Sequence, residues 1–157
     1  MNKNKWFGLS TLIIIVDQIT KYVASSMLLM HEPVAILPFF NFTLMHNTGA
    51  AFSFLADQGG WQRWFFAVLA LGVSVVLAVW LYRLKAHEKS LALALSLVLG
   101  GAVGNLIDRV YHGYVIDFID VYYNMSHWPA FNIADSAISV GAVMLVIDTF
   151  RNKEKNR

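Results

Sequence analysis

Four long apolar runs are separated by two polar connections of more than twenty residues and one short basic one. The first run is Phe7 to Leu29, interrupted by Asp17 and Lys21. The second, Trp64 to Tyr82, and the third, Ser90 to Ile107, carry no charge. The fourth, Ala134 to Phe150, has Asp135 near its start and Asp148 near its end. A helix needs roughly 17–25 mostly apolar residues to cross a bilayer. The pattern therefore predicts transmembrane helices over about 7–29, 64–82, 90–107 and 134–150, in one integral membrane domain spanning 1–157. The first run could imitate a secretory signal, with Lys3 and Lys5 ahead of it and Ala24-Ser25-Ser26 behind. Asp17 and Lys21 argue instead for an uncleaved helix, because a cleaved apolar core is short and uncharged.

The connections over about 31–63 and 108–133 are long enough to be structured. Phe39 to His46, after Pro38, and Val115 to Tyr123 are rich in aromatic and β-favouring residues, and predict a small sheet. Asn47-Thr48-Gly49 is a turn signal. Gly49 to Asp57 reads as a short amphipathic helix lying in the membrane interface, with Gly59-Gly60 as its hinge. The expected fold class is thus an all-α membrane protein of four transmembrane helices, with a small extracytoplasmic β-cradle and an interfacial helix.

Composition strengthens this picture. Hydrophobic residues make up 57% of the 157 residues and charged residues 14%, against about 25% charged in a soluble domain; mean hydropathy is +0.54. A soluble globular fold and a disordered chain are both excluded. The absence of cysteine removes disulfides, thiol nucleophiles and Cys-ligated metals. A net charge of +2 does not suggest a nucleic-acid partner. The placement of charge says more. Nine of the twelve Lys and Arg residues fall in the N-terminal tail, the 83–89 connection and the C-terminal tail. With four crossings these lie on one side, which the positive-inside rule makes cytoplasmic, so both termini are expected inside. Trp6 and Trp80 fall near inner helix ends, and Trp61, Trp64 and Trp128 near outer ones, as an aromatic belt requires.

Ionisable groups at membrane depth are costly and usually face a partner or a cavity. Asp17 and Lys21, four apart on one helix, can pair and read as structural, with a proton relay as the alternative. Gly100-x-x-x-Gly104 is a close-packing signal. It leads to Asn105, Asp108 and Arg109, which share a helix face; these either cap the helix or bind a loop or substrate. Asp135 lies sixteen residues before Arg151, or about 24 Å of helix, which sets it near the outer edge of the hydrocarbon. Asp117 can meet it there. Two carboxylates in one low-dielectric site share a proton, so that one can activate water while the other donates to a carbonyl oxygen. The plainer alternatives stay open on spacing alone: Asp135 as a helix N-terminal acid and Asp117 as a turn residue. His31, His46, His87, His112 and His127 show no metal-ligand spacing, and no serine stands in a G-x-S-x-G elbow. A Ser25/Lys21 pair would lie away from the acidic cluster.

Several segments together resemble the bacterial lipoprotein signal peptidases (type II, or prolipoprotein, signal peptidases). They are Val16-Asp17-Gln18-Ile19-Thr20-Lys21, Asn47-Thr48-Gly49-Ala50-Ala51-Phe52, Gly104 to Arg109 with Val115 to Phe118, and Phe131 to Ser136. The resemblance covers nearly the whole chain. It implies an aspartic endopeptidase of the inner membrane that cuts just before a diacylglyceryl-modified cysteine of a prolipoprotein, at the outer-leaflet interface. Asp117 and Asp135 would be catalytic. Asn47, Gly49, Asn105, Asp108, Arg109, Asn132 and Ala134 would bind substrate or support the aspartates. No metal or cofactor is implied. Membrane lipids and lipidated prolipoproteins would be the partners, globomycin-like cyclic peptides the inhibitors, and a monomer the working unit. Two alternatives are a small transporter or assembly subunit, with charges at mid-membrane in broken helices, and an intramembrane aspartyl protease indifferent to lipidation.

Overall fold

The computed structural model describes residues 3–49 and 60–155. Four helices are long and apolar enough to cross a membrane: α1 (Lys3–Met27), α2 (Trp61–Arg83), α3 (Lys89–Tyr111) and α4 (Ile133–Lys155). Between α1 and α2 lie β1 (Val34–Leu37) and β2 (Phe40–Asn47); between α3 and α4 lie β3 (Val115–Tyr123) and β4 (Ser126–His127). The strands form one antiparallel sheet in the order β1-β2-β3-β4. The expected interfacial helix over 49–57 lies, apart from Gly49, outside the described residues. Strands were expected at β2 and β3; β1 and β4 are additional, and too short to stand out as alternating runs.

α3 is the central helix and packs against the other three. Its small residues explain how they come so close. A Cβ on Gly100 would meet Ser10 O at 2.9 Å and Ile13 Cβ at 2.8 Å on α1. A Cβ on Gly104 would meet the Asp17 carboxylate at 2.7 Å, and one on Gly101 would collide with the Ala134 carbonyl of α4. Thus Gly100 and Gly104 face α1, while Gly101, one residue round the helix, faces α4. The Ser10 hydroxyl adds a bond of 2.9 Å to Ser96 O. Leu77, Leu81 and Leu84 pack on Ala92, Leu95 and Leu99 to form the apolar core between α2 and α3. Val68, Val75 and Val76 on α2 and Val140, Val143 and Val146 on α4 point outward and exposed, as hydrocarbon-facing side chains do.

α3 continues to Tyr111, so Asp108 and Arg109 belong to the helix. It ends where the His112 and Gly113 N–H groups both reach back to Asp108 O. Gly113 adopts φ 90°, a left-handed conformation that glycine takes without a Cβ clash. The chain then turns directly into β3, which sets Asp117 beside the end of α3.

Candidate active site

Asn132 organises this region. It precedes α4, and the Asp135 N–H donates to its Oδ1 at 2.8 Å. The Asp135 carboxylate in turn accepts from the Asn132 N–H at 3.3 Å. This reciprocal pair is a capping box, and it fixes the Asp135 side chain over the first turn of its own helix. The Asn132 amide nitrogen donates at 2.7 Å to Asp117 Oδ1. Asn132 is fully buried, and so ties a strand carboxylate to a helix carboxylate. Resemblance groups Asn132 with the site, and the Asn-x-x-Asp spacing is itself a local signal of the cap.

Each aspartate has a second amide partner. Asn105 Nδ2 donates to Asp135 Oδ1 at 2.7 Å, and Asn47 Nδ2 donates to Asp117 Oδ2 at 3.2 Å. Both amides are oriented from behind. Asn105 Oδ1 accepts from Lys21 Nζ at 2.9 Å. Asn47 Oδ1 accepts from the Gly49 N–H at 3.0 Å, the turn expected at Asn47-Thr48-Gly49. Asn41 and Asp120, and Met45 and Asp117, are register partners across β2 and β3. This pairing brings Asn47 to Asp117.

Behind the aspartates lies a buried charge network. Lys21 contacts Asp17 at 2.8 Å and Asp108 at 2.8 Å, and all three are almost fully buried. The expected Asp17–Lys21 pair therefore forms, but it does not close on itself. Asp17 Oδ1 also accepts from the Ala134 N–H at 2.9 Å, a carboxylate at a helix N-terminus. Asp108 Oδ2 accepts from the Ile116 N–H at 3.1 Å, which anchors the start of β3. Gln18 donates to Asp108 at 2.8 Å; it stood in the first-helix motif without a role assigned to it. Arg109 donates to Gly49 O at 3.0 Å and to Asn105 O at 3.3 Å, with its guanidinium over the Phe66 ring.

Asp117 is 3% exposed. Burial, reinforced by the negative charge of Asp135, pushes its pKa from 3.8 up to about 7, against the opposing bonds from Asn47 and Asn132. Asp120, three residues on, behaves differently. It is also buried, but bonds from His127, Thr43 and Asn41 outweigh the desolvation and hold it below the usual carboxylate range. One strand thus carries two aspartates with opposite proton affinities, and only Asp117 has a second acid facing it.

A cavity of about 470 Å³ opens beside these groups. Its lining includes the polar Asn47, Asn105, Arg109 and Asp135 and the apolar Trp128, Phe131, Ile138 and Val140. Asp117 lies behind this lining, bonded to Asn47. Among the described residues, no group of three His, Asp or Glu side chains could hold a metal ion.

Four spanning helices with paired acids at one end, under a small sheet, define a polytopic membrane protein with a carboxylate site. Residues 9–151 match the signal peptidase (SPase) II family, and the chain belongs to it. It is 61% identical over 145 residues to a lipoprotein signal peptidase of Teredinibacter turnerae, covering 92% of this chain and 86% of that one. It is 58% identical over 145 residues to one from Acinetobacter baumannii, covering 92% and 82%. Among solved structures it resembles a bacterial membrane enzyme determined by the in meso method at 2.3 Å. The TM-score is 0.87 at 28% identity, covering 98% of this chain and 92% of that chain.

Proposed function

We propose that this chain is an aspartic endopeptidase of the bacterial inner membrane that removes signal peptides from diacylglyceryl-modified prolipoproteins, cutting just before the lipidated cysteine. The observation that carries the mechanism is Asn132, which donates to Asp117 at 2.7 Å while forming the capping box with Asp135. Relatives carrying the lipoprotein signal peptidase name support the substrate class.

In this reading one member of the pair is neutral and the other ionised. The ionised carboxylate takes a proton from water as the water oxygen attacks the scissile carbonyl carbon, and the neutral carboxyl gives its proton to the carbonyl oxygen. Collapse of the tetrahedral adduct breaks the C–N bond, with a proton delivered to the departing amine. Arg109 and Asn105 supply donors in the cavity lining for the substrate backbone. The apolar lining residues suit a peptide whose acyl chains remain in the outer leaflet. Both termini are cytoplasmic, the site lies at the outer-leaflet interface, one copy suffices, and globomycin-like cyclic peptides compete for the cavity.

The test uses purified full-length protein and lipidated preprolipoprotein, followed by gel shift. Asp117→Asn and Asp135→Asn should each abolish cleavage, and the double variant should be no worse than either, because the two act as one unit. Near-normal turnover in either folded single variant would refute the mechanism. Equal cleavage of unlipidated substrate would refute the substrate assignment.

A further inference from the structure

The chain between β3 and α4 doubles back along β3 before delivering Asn132. Phe131 pairs with Ile119 through N–H to O bonds of 3.1 and 2.8 Å, and the Trp128 N–H donates to Val121 O at 2.8 Å. Residues 128–131 between these ties all line the cavity. The two ends of this wall are held differently. At Asn132 the chain is locked by the capping box and by a bond from the Ser136 hydroxyl to Asn132 O at 2.9 Å. At the other end stands His127, whose Nδ1 lies 2.7 Å from Asp120 Oδ1 and whose ring stacks on Tyr122 with centroids 5.2 Å apart. An ionised carboxylate only accepts, so Nδ1 carries the hydrogen. Asp120 is itself fastened to β2 by the Thr43 hydroxyl at 2.8 Å and the Asn41 amide at 3.3 Å. The His127 side chain is half exposed and outside the ring of groups around Asp117 and Asp135.

We propose that His127 is a positioning residue for the substrate cavity: through Asp120 it fastens the Trp128–Phe131 wall to the sheet, and so sets how tightly the cavity grips its peptide. The assignment rests on the proposed function, in that the cavity is the one that takes the lipopeptide. It separates binding from chemistry. The aspartates keep their own partners, Asn47, Asn105 and Asn132, whether or not residue 127 is bonded. Loosening the wall should weaken substrate binding and leave the chemical step almost intact.

The experiment compares KM and kcat for lipidated preprolipoprotein in wild type, His127→Ala, His127→Asn and Asp117→Asn, with melting temperature recorded for each. His127→Ala should raise KM about threefold to tenfold with kcat within about twofold. His127→Asn returns an amide donor close to the Nδ1 position and should recover most of the loss. An unchanged KM in His127→Ala, or equal losses in the Ala and Asn variants, overturns the assignment. Asp117→Asn keeps the two ideas apart. If it still cleaves, the aspartic mechanism falls while the wall is judged on KM as before. If it is inactive and KM does not move in His127→Ala, the wall assignment falls alone.

Discussion

Burial, reinforced by the negative charge of Asp135, raises the Asp117 pKa to about 7, so its carboxyl exchanges a proton around neutral pH. That arrangement has a cost for the fold. Its carboxyl titrates near 7 when folded and near 3.8 when unfolded. Between these values the folded chain binds the extra proton, so its stability falls as pH rises from about 4 to about 7 and then levels off. Asp117→Asn removes this dependence while keeping the volume. Thermal unfolding in detergent should therefore show wild type and variant melting alike near pH 4, with the variant higher at pH 8. A constant difference across that range would mean that Asp117 is ionised throughout. The same residue shows what could be read ahead of the structure. Val115 to Tyr123 placed Asp117 on a strand through its aromatic and β-favouring residues. Its proton affinity depends on Asp135, eighteen residues away, and no local pattern carries that.

At the scale of elements, glycine decides which helices touch. The Gly100-x-x-x-Gly104 spacing predicted one close approach, and α1 makes it. The intervening Gly101 meets the backbone of α4, where no side chain can rotate away. Gly101→Ala should therefore force α3 and α4 apart. It should cost about 1–3 kcal/mol, as overpacking does, and displace Asp135 from Asn105. Gly72 on α2 has nothing within 4 Å of an added Cβ. Gly72→Ala should be neutral or slightly stabilising, since alanine is the better helix former. Melting temperature and cleavage of the two variants side by side check this. Equal behaviour would show that the α3–α4 contact tolerates a methyl group.

At the scale of the whole molecule, the same side chains serve two solvents. α2 exposes valines and leucines on most of its surface, whereas α3 turns Asn105 and Asp108 inward to Lys21 and Asp135. The nine clustered basic residues predict that the α2–α3 connection and both termini share the cytoplasmic side. Reporters active only outside the cytoplasm should be silent when fused after Arg157 or within residues 83–89, and active when fused near Gly60. Strong activity after Arg157 would reverse the orientation and move the carboxylate site to the cytoplasmic face.

The spanning helices were legible because the bilayer imposes a one-dimensional rule: about 20 apolar residues in a row satisfy every backbone group internally. The turn at Asn47 and the pairing of Asp17 with Lys21 were legible for a similar reason, since both partners lie within four residues. Lys21 also reaches Asp108 and Asn105, 87 and 84 residues further on, and Asn132 meets Asp117 only because β3 folds back beside α4. The partners of His127 likewise depend on a two-residue strand that periodicity cannot reveal. Local bonds and solvent matching are properties of neighbouring residues, so the sequence determined them by itself. The carboxylate site depends on groups from α1, β2, α3, β3 and α4 meeting in one dry place, and only the tertiary packing around the small residues of α3 decides that.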